Sequence, residues 1–408
     1  MDLSVPRLAR VALALLVLFS APALISESPA TTPSARLDPM TDTREIIAYV
    51  FPQDRVLSPE EINGRRLTRI NYAFANIKNG EILEGFPHDA ENFAILNTLK
   101  HSNPGLRILI SVGGWTWSGG FSDVALTPQS RTRFISSAVR FIERYKLDGV
   151  DIDWEYPGQP GNGNTFRPED KKNFTLLLSE LRQRLDSEQT RLHRRLYTSI
   201  ATGASTKFLE HTEMDKVQHY VDTVNLMTYD FYVGGPATGH DAPLFHNPTD
   251  PKRVSADRSV NEYLQAGVPA RKLVLGVPFY GRSWGDVANK NNGLFQSGKA
   301  AHGVHFSYPD LPNLLATGFV RHWDSEASVP YLYNPRTRVF VTYEDPQSLA
   351  AKCRYVTDHR LAGIMFWEYS NDSTGILLQA VHAGLTPPPS SDSSVSKETS
   401  TGKSSANN

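Results

Sequence analysis

The sequence predicts an α/β protein: a closed, parallel (β/α)8 barrel with a small α+β insertion domain after the seventh strand. Three observations carry that prediction. Eight short runs rich in Val, Ile, Phe and Tyr alternate with helical patterns over a little more than 300 residues, as a closed parallel sheet wrapped in helices requires. Aromatic and acidic residues recur at the downstream ends of those runs, the face on which such barrels place their sites. One run, Asp148-Gly149-Val150-Asp151-Ile152-Asp153-Trp154-Glu155, sets four acids inside what otherwise reads as a buried strand. An open doubly wound sheet fits the same periodicity and stays open as the alternative.

Taken in order, the N-terminus has Arg7 and Arg10, the apolar run Val11–Phe19 and the small residues Ser20-Ala21-Pro22-Ala23. That is the pattern of a secretory signal over residues 1–23, shorter than a membrane span needs. Residues 24–42 are Ser-, Thr- and Pro-rich without periodicity, a flexible lead-in. The barrel, 43–284 and 343–385, then begins with strands at Glu45–Val50 and Leu67–Phe74, separated by a short helical stretch from near Ser58. A helical pattern over 89–100 leads to a third strand, Arg107–Val112, stopped by Gly113-Gly114. The amphipathic helix 127–146 delivers the chain to the acidic strand, and a helix over 168–186 follows, with Pro168 in its first turn. The loop Gly158–Gly163 between them matches neither the dinucleotide nor the P-loop glycine spacing.

Further strands are predicted at Leu196–Gly203, Val221–Phe231 and Leu273–Trp284. Residues 285–342 break the rhythm with short strand-like pieces and are too long for one connection, hence the insertion. Pro346 opens a helix to about His359, and Gly363–Glu368 is the eighth strand. From 386 to 408 the composition is that of a disordered Pro/Ser/Thr tail.

Composition narrows the function. With 42 basic and 43 acidic residues the net charge is -1, so nothing favours nucleic acid or an anionic membrane. The single cysteine, Cys353, has no partner for a disulfide and no activating neighbours, and is expected to be a packed thiol. The 12 histidines show no ligand spacing, so neither a metal nor another cofactor is implied. The sequons at Asn173 and Asn371 are glycosylation sites by pattern alone.

Side chains alternate along a strand, so Asp151, Asp153 and Glu155 share one face, with neighbours about 6.6 Å apart. Three carboxylates in a row repel, and burial penalises each charge further. Some of them must therefore stay protonated near neutral pH, ready for proton transfer. Tyr156 follows Glu155 at the end of the same strand, and Tyr49, Phe74, Trp115, Tyr229, Asp230, Tyr280, Arg282, Trp284 and Trp367 fall at or just past the other strand ends. Such rings can stack on sugars or merely fill a barrel mouth; in company with the acids, the first use is favoured.

At these residues the chain resembles the family 18 glycoside hydrolases, the chitinase family. Asp148 to Glu155 fits the DxxDxDxE signature, Ser111-Val112-Gly113-Gly114 the SxGG motif, Met227-Thr228-Tyr229-Asp230 the MxYD motif, and Trp367 the strand-eight tryptophan. The resemblance spans residues 44–383, and it likens 285–342 to the insertion of a subgroup with deep clefts. It implies a TIM barrel and a secreted, monomeric chitinase that cleaves β-1,4 bonds between N-acetylglucosamine units of chitin and chitooligosaccharides. It also implies a retaining, substrate-assisted mechanism. Glu155 would be the acid and base. Asp153 would hold the acetamido N–H, sharing a proton with Asp151, and Tyr229 would hold the acetamido oxygen. Asp230 and Arg282 would bind hydroxyls, Trp367 would floor the central subsite, and Trp115 would stack on the leaving-group side. Tyr49 and Phe74 would wall the acetamido pocket, with Met227 in support. Two alternatives stay open: a relative acting on N-glycan cores or cell wall, and a non-catalytic chitin-binding lectin, which would lack one of the acids present here.

Overall fold

The computed structural model describes residues 44–304 and 306–386. The predicted signal (1–23), the predicted lead-in (24–42) and the predicted tail beyond Thr386 lie outside them. The strands, in chain order, are β1 (Glu45–Val50), β2 (Arg69–Lys78), β3 (Glu81–Leu83), β4 (Arg107–Gly113), β5 (Gly149–Asp153), β6 (Tyr197–Gly203) and β7 (Thr223–Met227). There follow β8 (Leu273–Pro278), β9 (Arg282–Trp284), β10 (Val320–Asp324), β11 (Val329–Asn334), β12 (Val339–Thr342) and β13 (Gly363–Trp367). Eight of them, β1, β2, β4, β5, β6, β7, β8 and β13, are joined by parallel ladders, and the β1–β2 pairing closes the circle. The closed barrel is therefore the observed fold, and the open sheet is excluded.

The helices form where caps and periodicity agree. Pro128–Tyr145 starts at Thr127, whose side chain and that of Ser130 cap each other's backbone N–H, and it buries Phe134, Ile135, Val139, Phe141 and Ile142. Pro346–Asp358 starts at Asp345, whose carboxylate takes the N–H groups of Gln347 and Ser348. The helix predicted over 168–186 runs instead over Asp170–Leu192, and Pro168 precedes it.

Four sequence expectations differ from the structure. No α-helix follows Ser58; Gly64–Arg66 forms a single 3-10 turn, because a stretch cut off by Gly64 is too short to repay helix nucleation. The second strand runs on to Lys78 and turns back as β3, an antiparallel hairpin that its pattern did not announce. The sixth predicted strand stops at Met227, where the Thr228 hydroxyl takes up the Gly276 carbonyl and Asp230 adopts a left-handed backbone (φ 58°). The seventh ends at Pro278, still paired with Trp367, and a separate strand follows at Arg282.

Arg282–Trp284 then pairs antiparallel with β12, giving a second sheet ordered β10-β11-β12-β9. The second sheet thus begins at Arg282, not at residue 285. Its core is Tyr232, Trp284, Val287, Leu294, Tyr331, Tyr333 and Phe340. Cys353 is buried, and burial pushes its thiol up to about 12, in keeping with a packed role. Asn173 is buried on its helix, which leaves that sequon inaccessible in the fold. Among the described residues no group of His, Cys, Asp or Glu is arranged to hold a metal ion, and no helix is long and apolar enough to cross a membrane.

Candidate active site

β5 delivers the acids, as alternation requires. Val150 and Ile152 join the apolar layer between strands and helices, and Trp154 stacks on Phe121 and meets Phe174 edge-on. Asp151 and Asp153 take the opposite face, inside the barrel. Glu155 stands just beyond the strand's end, its backbone N–H donating to Ser118 Oγ (2.9 Å) and its carbonyl accepting from Asn164 Nδ2 (3.0 Å). Ser118 also donates to the Asp153 carbonyl.

Gly113 and Gly114 allow this close approach. Both have positive φ, and a side chain at Gly113 would strike the Asp153 carbonyl while one at Gly114 would strike the Phe74 ring. Their structural role, expected from sequence, has its reason here.

The three acids occupy different environments. Asp151 is fully buried and receives four donors: Tyr49 Oη (2.9 Å) and Ser111 Oγ (2.8 Å) on one oxygen, Ser199 Oγ and Asn225 Nδ2 (3.3 Å) on the other. Asp153, 4% exposed, has one oxygen with no hydrogen-bond partner among the described residues. Burial, then the charges of Glu155 and Asp151, hold its carboxyl well above the usual range. Glu155, 8% exposed, is pushed up to about 7 by burial; the Tyr156 hydroxyl opposes this and the charge of Asp230 adds to it. Asp151, with its four donors, lies beside Asp153 and its charge contributes to raising the Asp153 carboxyl.

Around them lies a cleft of about 1480 Å³ at the C-terminal ends of the strands. Tyr49, Phe74, Trp115, Asp153, Glu155, Tyr156, Met227, Tyr229, Asp230, Tyr280, Arg282 and Trp367 line it, and Asp151 lies beneath. Phe74 stacks on Trp367 at 5.5 Å and 20°. The only hydrogen-bond partner of the Tyr229 hydroxyl among the described residues is Met365 Sδ at 4.0 Å, and burial with nearby carboxylates keeps that hydroxyl protonated. Asp230 binds Tyr280 Oη (2.7 Å) and the Arg282 guanidinium (2.6 and 3.0 Å) through one oxygen. The ion pair and the cleft-facing role thus coexist.

Trp284 is a correction. It borders the cleft from behind but is 0% exposed, its indole N–H shared between the Gly234 and Gly235 carbonyls, so it has no face to offer a ligand. The antiparallel turn at β9 swings it into the second sheet's core instead. Trp115, by contrast, is 52% exposed.

Several residues were missed. Phe51, Phe86 and Trp117 extend the aromatic wall, with Phe86 and Trp117 rings 5.0 Å apart. Gln159 lines the cleft with a buried amide nitrogen that has no partner among the described residues. Ser199 and Asn225 hold Asp151, and Asp241, raised by burial and by Asp230, accepts the Asp230 N–H (3.1 Å). For Phe51 and Trp117 the signal was available: each lies a few residues past a strand end already marked by another ring.

Comparison with known proteins bears on this site directly. The description "Glycosyl hydrolases family 18" matches residues 45–372. Chitinase A1 of Niallia circulans is 37% identical over 86% of this chain, which spans 60% of that protein's length. Chitinase 1 of Aphanocladium album is 32% identical over 81% of this chain and 82% of its own. A solved family 18 N-acetylglucosaminidase from Paenibacillus barengoltzii, 43% identical, superposes with a TM-score of 0.75 over 84% of this chain and 100% of the other. With the matched region running from the first barrel strand to just past the last, and the acids of β5 at its mouth, the chain belongs to glycosyl hydrolase family 18.

Proposed function

We propose that this chain is a secreted chitinase that cleaves β-1,4 bonds between N-acetylglucosamine units with retention at C1. One observation carries the reading. A carboxyl pushed up to about 7, Glu155, faces an aromatic-lined cleft with Asp153 beside it, while Asp151 is held by four donors and Asp230 by Tyr280 and Arg282. Glu155 then protonates the departing glycosidic oxygen. The nucleophile is the substrate's own acetamido oxygen, as the family resemblance implies, with Asp153 holding the acetamido group rather than attacking C1. Tyr229, whose hydroxyl has no oxygen partner among the described residues, holds that oxygen, and Asp153 receives the acetamido N–H through its unpartnered oxygen. The oxazolinium ion so formed is opened by water, with Glu155 taking the proton.

The similarity to named chitinases and to the structure of a tobacco class V chitinase solved with a bound N-acetylglucosamine oligomer supports the substrate class. The Paenibacillus N-acetylglucosaminidase favours a second reading, in which single sugars are released. Export rests on the pattern of residues 1–23 and suits an insoluble polymeric substrate.

Hydrolysis of chitohexaose, with product lengths and anomers followed over time, tests the assignment. Rapid appearance of β-anomeric chitobiose or chitotriose is the expected result. Monosaccharide as first product selects the second reading, α-anomers refute the mechanism, and no turnover refutes the activity.

A further inference from the structure

Beneath the acids the barrel interior holds a second polar layer whose deepest member is Arg69 on β2, fully buried. Its Nη2 donates to Thr223 Oγ1 (2.9 Å) and to Asn225 Oδ1 (3.2 Å), while Nε and Nη1 have no hydrogen-bond partner among the described residues. A guanidinium has donors only, so the Asn225 amide is forced to turn its oxygen down toward Arg69. Its nitrogen then points up, donating to Tyr49 Oη (3.2 Å) and Asp151 Oδ1 (3.3 Å). The reversed amide would set an oxygen against a carboxylate. Thr223 alone could not fix the choice, because a hydroxyl donates or accepts equally well.

We propose that Arg69 and Asn225 are positioning residues for the reaction: Arg69 orients the Asn225 amide and sets a buried positive charge beneath the acid pair of Asp151 and Asp153. The inference rests on the reading of Asp153 as the group that receives the acetamido N–H. The charged and titratable groups facing Arg69 are Glu45 and Tyr49 from β1, Arg107 from β4 and Asp151 from β5. Glu45 is already engaged by Arg107 (2.7 Å) and Thr68 (2.6 Å). Asp151 in turn is faced by Tyr49 and Asp153, with the neutral Ser111, Ser199 and Asn225 completing its surroundings. Arg69 is therefore the guanidinium tied, through one amide, to the acid pair.

The test is the pH dependence of kcat on chitohexaose for wild type, Arg69→Met, Arg69→Lys and Asn225→Leu, with folding checked by circular dichroism. Removing the charge disfavours the ionised acid pair, so in Arg69→Met the acid limb moves up by about one pH unit, a roughly tenfold loss below that limb. The alkaline limb, set by the more distant Glu155, moves less. Arg69→Lys keeps its acid limb near that of wild type. Asn225→Leu, close in volume, moves the acid limb the same way by a smaller amount, and decides the matter if Arg69→Met does not fold. A folded variant with both limbs at their wild-type positions, whatever its kcat, overturns the inference. If wild type is active, Glu155→Gln is dead and the limbs do not move, only this inference fails; if wild type shows no turnover, the proposed function fails first and takes it along.

Discussion

The interior of the parallel barrel and that of the antiparallel sheet are equally closed to solvent, yet they are filled by opposite chemistry. Inside the barrel, Tyr49, Arg69, Ser111, Asp151, Ser199 and Asn225 form a connected polar column. Between the strands of the second sheet and the loop beside it lie rings, Tyr232, Trp284, Tyr331, Tyr333 and Phe340. Burying polar groups is costly unless each finds its partners, so the column fixes the position of Asp151 beneath the other two acids. The rings need only exclude water and hold a wall in place. Chemistry and frame are thus separated between the two sheets, and the division can be attacked from either side.

The largest effect belongs to Glu155→Gln, which keeps shape but cannot deliver a proton. Its kcat on chitohexaose should fall by about 10³ or more with binding retained, as measured by turnover and by calorimetric titration. Wild-type turnover would mean that the acid lies elsewhere. Next comes Trp284→Ala, a cavity in the frame. Unfolding by urea should show a loss of about 3–5 kcal/mol, while the pH profile of kcat stays where it was; a shifted profile would break the division. Tyr229→Phe, at the barrel mouth, should lower kcat by about tenfold to a hundredfold with little change in stability, since the lost hydroxyl has no strong partner to leave behind. Trp115→Ala, exposed and free of the core, should raise KM several-fold, worth about 1 kcal/mol of stacking, and leave kcat nearly unchanged.

How much of this was legible beforehand follows from the same contrast. The barrel strands announce themselves because each is a short apolar run bounded by turns, and the acids of β5 stand out because charge inside such a run is costly. Trp284 misled because its sequence continues β8 without a pause. Only the pairing of β9 with β12, a partner more than 50 residues away, sends it into another core. The four donors that converge on Asp151 come from four other strands, contacts that no local pattern encodes. Phe51 and Trp117 could have been found; Arg69 and Asn225 look like ordinary strand residues until the barrel closes.

The elevated carboxyl of Glu155 has a thermodynamic side. In the unfolded chain it gives up its proton near 4.5, in the fold near 7, so folding takes up a proton between those values. The associated stability is fully present below about 4.5 and is lost as pH rises through 7, and Asp153, displaced in the same direction, adds to the loss. An active site built on trapped protons is therefore a source of alkaline lability. Glu155→Gln has no such proton to surrender and should melt at a higher temperature than wild type at pH 8, with the gap closing toward pH 5.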